Sequence, residues 1–152
     1  MLSLLRTNSS HPDFLQLVQN LDQDLAIRNG EDNAFYAQFN KVDAIPCVVV
    51  AFLEGKPVGC GAMKSFSPGK MEIKRMFTLE ACREKGVASA ILKELEQWAK
   101  ELGMQSCVLE TGIQQPEAIG LYQKQQYQRI PNYGPYAMVE DSLCFEKQLA
   151  EI

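Results

Sequence analysis

The sequence has a single histidine, His11, and no pair of cysteines at CxxC spacing. Zinc needs three or four nitrogen and sulfur ligands held close together. No metal site is therefore expected among the five thiols at 47, 60, 82, 107 and 144. An odd number of scattered cysteines suits a reducing, cytoplasmic compartment. Four of them, Cys47, Cys60, Cys107 and Cys144, fall in apolar runs where a cysteine is buried and inert. Cys82 flanks a functional stretch but has no histidine nearby in sequence to activate it. Apolar runs stay well short of the roughly 18 residues of a membrane span. The opening MLSLLRTNSS lacks the basic region and longer apolar region of a secretory signal. Positive charge is also scarce: 15 Lys and Arg against 19 Asp and Glu leave a net −4. General nucleic-acid binding wants a basic surface that releases phosphate counterions. Neither a nucleic acid nor a membrane is an expected partner. With no internal repeat, low-complexity tract or Pro/Ser-rich linker, residues 1–152 read as one domain.

What is present is material for a core, with 46% hydrophobic residues and 22% charged. A first short strand runs into a helix from His11 to Ile27, where Phe14, Leu17, Val18, Leu21 and Leu25 recur at helical spacing. Asn29-Gly30 ends it, and a second short helix is expected over 31–39. The β-branched run from Pro46 to Leu53 reads as a buried strand. A turn at Glu54-Gly55-Lys56-Pro57 returns Val58 to Phe66 as its hairpin partner, and Ser67-Pro68-Gly69 leads into a strand over Met71–Phe77. Then the rhythm changes. Val87, Ile91, Leu95, Trp98 and Leu102 mark an amphipathic helix of about four turns, stopped by Gly103. A strand over Ser106–Glu110 follows, then a helix opened by Pro116, then closing strands over Gln128–Ile130 and Leu143–Glu146. A strand, a helix and another strand imply a parallel crossover between 71–77 and 106–110. The expected fold is α+β, a mixed sheet whose N-terminal half is antiparallel.

The stretch Cys82-Arg-Glu-Lys-Gly-Val-Ala-Ser89 sits where a strand hands over to that long helix. The first amides of a helix have no intrahelical partner, and the helix dipole adds positive potential there. A glycine admits a ligand close to the main chain, and Arg83 and Lys85 reinforce the field. This suits a phosphate or pyrophosphate. The plainer alternative is a glycine turn with two solvated cations. Walker and dinucleotide-binding glycine patterns are both absent.

Arg83-Glu-Lys-Gly-Val-Ala88 resembles the Arg/Gln-x-x-Gly-x-Gly/Ala signature of the GNAT acetyltransferase superfamily. Glu72-Ile-Lys-Arg-Met-Phe-Thr78 resembles its preceding strand, and Leu109-Glu-Thr-Gly112 the splayed strand that follows. Gln115-Pro-Glu-Ala118 through Leu121-Tyr-Gln-Lys124 is similar to its "N-x-x-A-x-x-L-Y" segment. The matches run in order from about residue 46 onward. The resemblance implies a GNAT-like sheet flanked by helices on both faces, with acetyl-CoA as cosubstrate and no metal. It implies a pyrophosphate on Arg83, Glu84, Lys85, Gly86, Val87 and Ala88, with Ser89 next. A pantetheine arm would lie along Met76, Phe77 and Thr78, and Gln115 and Lys124 would assist. Tyr122 would be the general acid and Glu72 a candidate base.

Two features depart from the family pattern. Gln126-Tyr127 stands where Gly-Phe is usual, and Gln115 replaces the more common Asn. Apart from the resemblance, helical spacing favours Tyr122 as a core tyrosine beside Ala118 and Leu121, and Glu72 could equally be a strand residue paired with Lys74 or Arg75. Glu110, at the end of an apolar strand, is a second candidate base or an anchor for an ammonium group. Tyr133 and Tyr136, in the bent loop Asn132–Tyr136, could wall an acceptor site. The expected activity is transfer of acetyl from acetyl-CoA to the primary amine of a small molecule. A protein lysine or N-terminus as acceptor, or a non-catalytic acyl-CoA-binding module, are the alternatives. A homodimer is compatible with each.

Overall fold

The computed structural model describes residues 1–32 and 44–149. Strand β1 (Leu2–Thr7) leads to helix α1 (Pro12–Asn29). The sequence placed His11 at the start of this helix. It is in fact the cap, its Nδ1 accepting from the Asp13 amide at 3.1 Å, with Pro12 in the first turn. A cap of this kind satisfies one of the orphan amides of a helix start. The helix expected over 31–39 lies almost wholly outside the described residues; Gly30–Asp32 forms a single 3₁₀ turn.

Strands β2 (Cys47–Leu53), β3 (Lys56–Ser67) and β4 (Lys70–Thr78) form the expected antiparallel meander. Helix α2 (Val87–Glu101) then crosses to β5 (Ser106–Gly112), which pairs parallel with β4. Helix α3 (Pro116–Lys124), β6 (Gln128–Ile130) and β7 (Ser142–Gln148) complete the described elements. The sheet order is β1-β2-β3-β4-β5-β7-β6. The fold is α+β with a mixed seven-stranded sheet, as the sequence implied.

Period-two alternation sends the strands' apolar residues to both faces, and a helix covers each. Val48, Val50, Cys60 and Ala62 meet Phe14, Leu17 and Val18 of α1. Val49, Ala51, Val58 and Ile73 meet Val87, Ile91, Leu92 and Leu95 of α2. This explains why β2 is buried on both sides from Cys47 to Ala51. Gly61 lets α2 come close: a Cβ there would lie 2.5 Å from Met76 Sδ and 2.8 Å from Ile91 Cγ2.

Two irregularities shape the site. In β4, Arg75 takes a left-handed backbone at φ 58°, and the register with β3 slips from Ala62↔Lys74 to Cys60↔Phe77. That is a β-bulge. Strands β4 and β5 also pair over only three positions, Lys70↔Ser106 to Glu72↔Val108. Past Glu72 and Val108 they part, while β5 stays paired with β7 as far as Gly112↔Ser142.

Candidate active site

The parting of β4 and β5 opens two adjoining spaces. One is a groove of about 500 Å³ between the end of β4, the start of α2 and α3. The other is a cleft of about 90 Å³ between the splayed strands, walled on one side by Leu21, Leu25 and Asn29 of α1. Leu21, Met76, Gln115 and Tyr122 line both. Tyr122 therefore stands at their junction.

In the groove, Gly86 caps α2 in a left-handed conformation, φ 80°, and a Cβ there would meet nothing within 4 Å. The first helical bond into Gly86 is the Ala90 amide to its carbonyl at 3.0 Å, so the amides of Val87, Ala88 and Ser89 precede it. No side chain caps this helix. A start with uncapped amides, an open space above a glycine and the positive end of the dipole fits a phosphate group. Arg83 also lines the groove, but its Nε donates to the Thr78 carbonyl at 3.2 Å and its guanidinium lies 6.0 Å from the Phe77 ring. Met76, Phe77 and Thr78 line the strand side, and Glu84, Ser89 and Lys124 the helix side. The Thr78 hydroxyl is buried with no hydrogen-bond partner among the described residues. Lys85, read from the sequence as part of this loop's field, is exposed and does not line the groove.

Tyr122 is 5% exposed, its ring against Tyr127 and Phe145 at 5.8 and 6.2 Å. Burial pushes its hydroxyl well above the usual tyrosine range, and the Glu110 carboxylate adds to the rise. Glu110 lines the small cleft. Burial pushes its carboxyl up to about 6; Glu72 adds to this, while Ser142 and Lys74 oppose it. Lys74, on the facing strand, is lowered by burial.

Glu72, the sequence's first candidate base, borders neither space. It is buried, accepts from the Tyr133 hydroxyl at 2.8 Å, and lies 3.9 Å from Lys74 Nζ. Tyr133 packs edge-on against Phe66 at 4.7 Å and Tyr136 at 6.1 Å. Tyr133 and Tyr136 thus form a cluster over Glu72 and do not line the cleft. The physical reason is that Tyr133, just before the 3₁₀ turn Gly134–Tyr136, is held on the sheet by Glu72 and Phe66, and Tyr136 packs on Tyr133. The sequence reading assigned no acceptor-site role to the α1 residues Leu21, Leu25 and Asn29, nor to Lys74 and Arg75. Helical spacing marked Leu21 and Leu25 only as core.

The sequence matches the family described as "Acetyltransferase (GNAT) family" over residues 14–127. The chain belongs to that family. This acetyltransferase is 36% identical over 102 residues to an IAA acetyltransferase of Azospirillum brasilense, spanning 66% of this chain and 67% of that protein. A proposed acyl-CoA N-acyltransferase of Klebsiella pneumoniae subsp. pneumoniae has a similar structure, with TM-score 0.83 and 25% identity over 99% of both chains. The paia N-acetyltransferase of Thermoplasma acidophilum, solved in complex with coenzyme A, superposes with TM-score 0.71. It is 16% identical and covers 97% of this chain and 99% of its own.

Proposed function

We propose that this acetyltransferase, acting as one domain over 1–152, moves acetyl from acetyl-CoA to the primary amine of a small molecule by direct transfer. The observation that carries this is Tyr122 at the junction of a large groove and a small cleft that holds Glu110. The groove suits a coenzyme, and the cleft is too small for a folded protein segment. The amides of Val87, Ala88 and Ser89 would receive the pyrophosphate, helped by the dipole of α2. The β4 edge at Met76–Thr78, past the last pair with β5, is available to an extended pantetheine arm. Gln115, at the groove's inner end, would hold that arm with its amide. Acetyl-CoA supplies an activated carbonyl; the proton transfers fall to the chain.

An alkylamine with a pKa near 10.4 is almost entirely protonated at neutral pH and cannot attack a carbonyl. In this reading Glu110 removes that proton. A carboxyl near 6 is ionised at neutral pH, yet basic enough to serve as a general base. Tyr122 donates its hydroxyl proton to the departing sulfur. Glu72, bound to Tyr133, holds the acceptor side of the sheet in shape. A cytoplasmic location belongs to the same reading and is supported by five free cysteines, four of them buried.

The test is a screen for release of free CoA thiol from acetyl-CoA with a panel of small primary amines. Amine-dependent release is expected. Release that ignores the amine throughout, or depends only on a protein acceptor, would overturn the proposal.

A further inference from the structure

In a regular strand, neighbouring side chains point to opposite faces. The bulge at Arg75 breaks this rule. Lys74 shares a face with Glu72 and Glu110, as its 3.9 Å approach to Glu72 shows. Arg75 lies on that same face, because its Nη1 reaches Asp22 of α1 at 2.6 Å. Met76 then returns to the opposite face, with its sulfur against α2 and the Gly61 position. A left-handed residue at φ 58° has thus put two consecutive cations on the α1 side, and both line the small cleft.

The Arg75 side chain is 3% exposed, while its partner Asp22 is 50% exposed. Its Nη2 is buried with no hydrogen-bond partner among the described residues. A guanidinium offers five donors in a planar fork, and a buried cation gains most from a planar anion that engages two of them. Leaving Nη2 unused at this depth is costly. Glu110 of β5, the group suited to an amine, lines the same cleft.

Resting on the acetyl-transfer reading of the cleft, we infer that Arg75, with Lys74 beside it, is a carboxylate-binding subsite and that the acceptor is a small amine bearing a carboxylate. Amino-acid-like compounds are the substrate class. Their ammonium end faces Glu110 and their carboxylate faces the Nη2 edge of Arg75.

The experiment compares primary amines in matched pairs, each an amino acid and its decarboxylated or amidated counterpart. The carboxylate member should show kcat/KM higher by about tenfold or more, because a site built to bind a polar group rejects analogues lacking it. Arg75→Met should erase that preference through the amine KM and leave the KM for acetyl-CoA unchanged; Arg75→Lys should retain part of it. Parity within the pairs, a preference for the bare amines, or an equal loss for both members in Arg75→Met overturns the subsite. Calorimetry of propionate with the wild-type protein and CoA gives an answer without turnover or a variant. Binding that the amino-acid acceptor displaces supports the subsite, and no binding overturns it. Failure of acetyl-CoA itself to bind would instead overturn the transfer reading, so the two failures are distinct.

Discussion

The Tyr133 hydroxyl donates to Oε2 of Glu72 at 2.8 Å, tying the turn before β7 to the first part of β4. A hydrogen bond to a charged group typically contributes about 1.5–3 kcal/mol. Tyr133→Phe should therefore lower stability by about that amount in denaturant unfolding. The KM for acetyl-CoA should not change, because the groove is untouched.

Glu110 links activity and stability with opposite signs. Its carboxyl is pushed up to about 6 from the ordinary 4.5 by burial. Protonation therefore favours the fold: this contribution is complete below about pH 4.5 and is lost as pH rises through about 6. Glu110→Gln stays neutral throughout, so its stability relative to the wild type should grow between pH 4 and pH 7, by up to about 2 kcal/mol. Turnover should fall by about 10²-fold or more, and the wild-type rate should rise with pH through about 6. Thermal midpoints and rates across that range check both signs.

Tyr122 lines both the groove and the cleft, and its ring packs on Tyr127 and Phe145, contacts that phenylalanine keeps. Tyr122→Phe should leave the thermal midpoint almost unchanged. As the loss of a general acid, it should lower kcat by about 10²–10⁴-fold or somewhat less. Wild-type turnover in this variant would leave water or the amine as the proton source.

Gly86 combines a left-handed backbone with open space beside it. Asn tolerates that conformation and adds no charge, whereas Asp adds a negative charge where a pyrophosphate would sit. Calorimetry should show weak CoA binding in Gly86→Asp and much stronger binding in Gly86→Asn. Equal affinities would remove the pyrophosphate from this helix start.

Gln126 leaves α3 at φ 73°, and the Tyr127 amide returns to the Tyr122 carbonyl at 2.9 Å. This exit usually takes glycine, since other residues pay about 1 kcal/mol for a left-handed backbone. Gln126→Gly should raise stability by up to about 1 kcal/mol, seen as a higher denaturant midpoint at unchanged slope.

The meander, the parallel crossover and the strand-to-helix loop were legible because each rests on local pattern: alternation at 47–53, helical spacing from Val87, a glycine at the junction. The bulge was not. Arginine carries no preference for a left-handed backbone, so nothing at position 75 announces that Lys74 and Arg75 share a face. Choosing between Glu72 and Glu110 was also beyond sequence, since alternation gives both the same face of the sheet. What separates them is Tyr133, which arrives from 61 residues away to occupy Glu72. Lys85 shows the same limit: its type suited an anion site, but only the path of the chain decides where it points.

The three-position join between β4 and β5 also has a mechanical consequence. It makes the sheet two antiparallel blocks held by a short seam, with α2 as the strap between them. Such a seam breathes before the blocks do. Deuterium should enter the β4 amides beyond Glu72 sooner than those of β2, which have neighbours on both sides. A ligand lying along that edge would act as a rivet, so its arrival should register as slowed exchange on both sides of the gap.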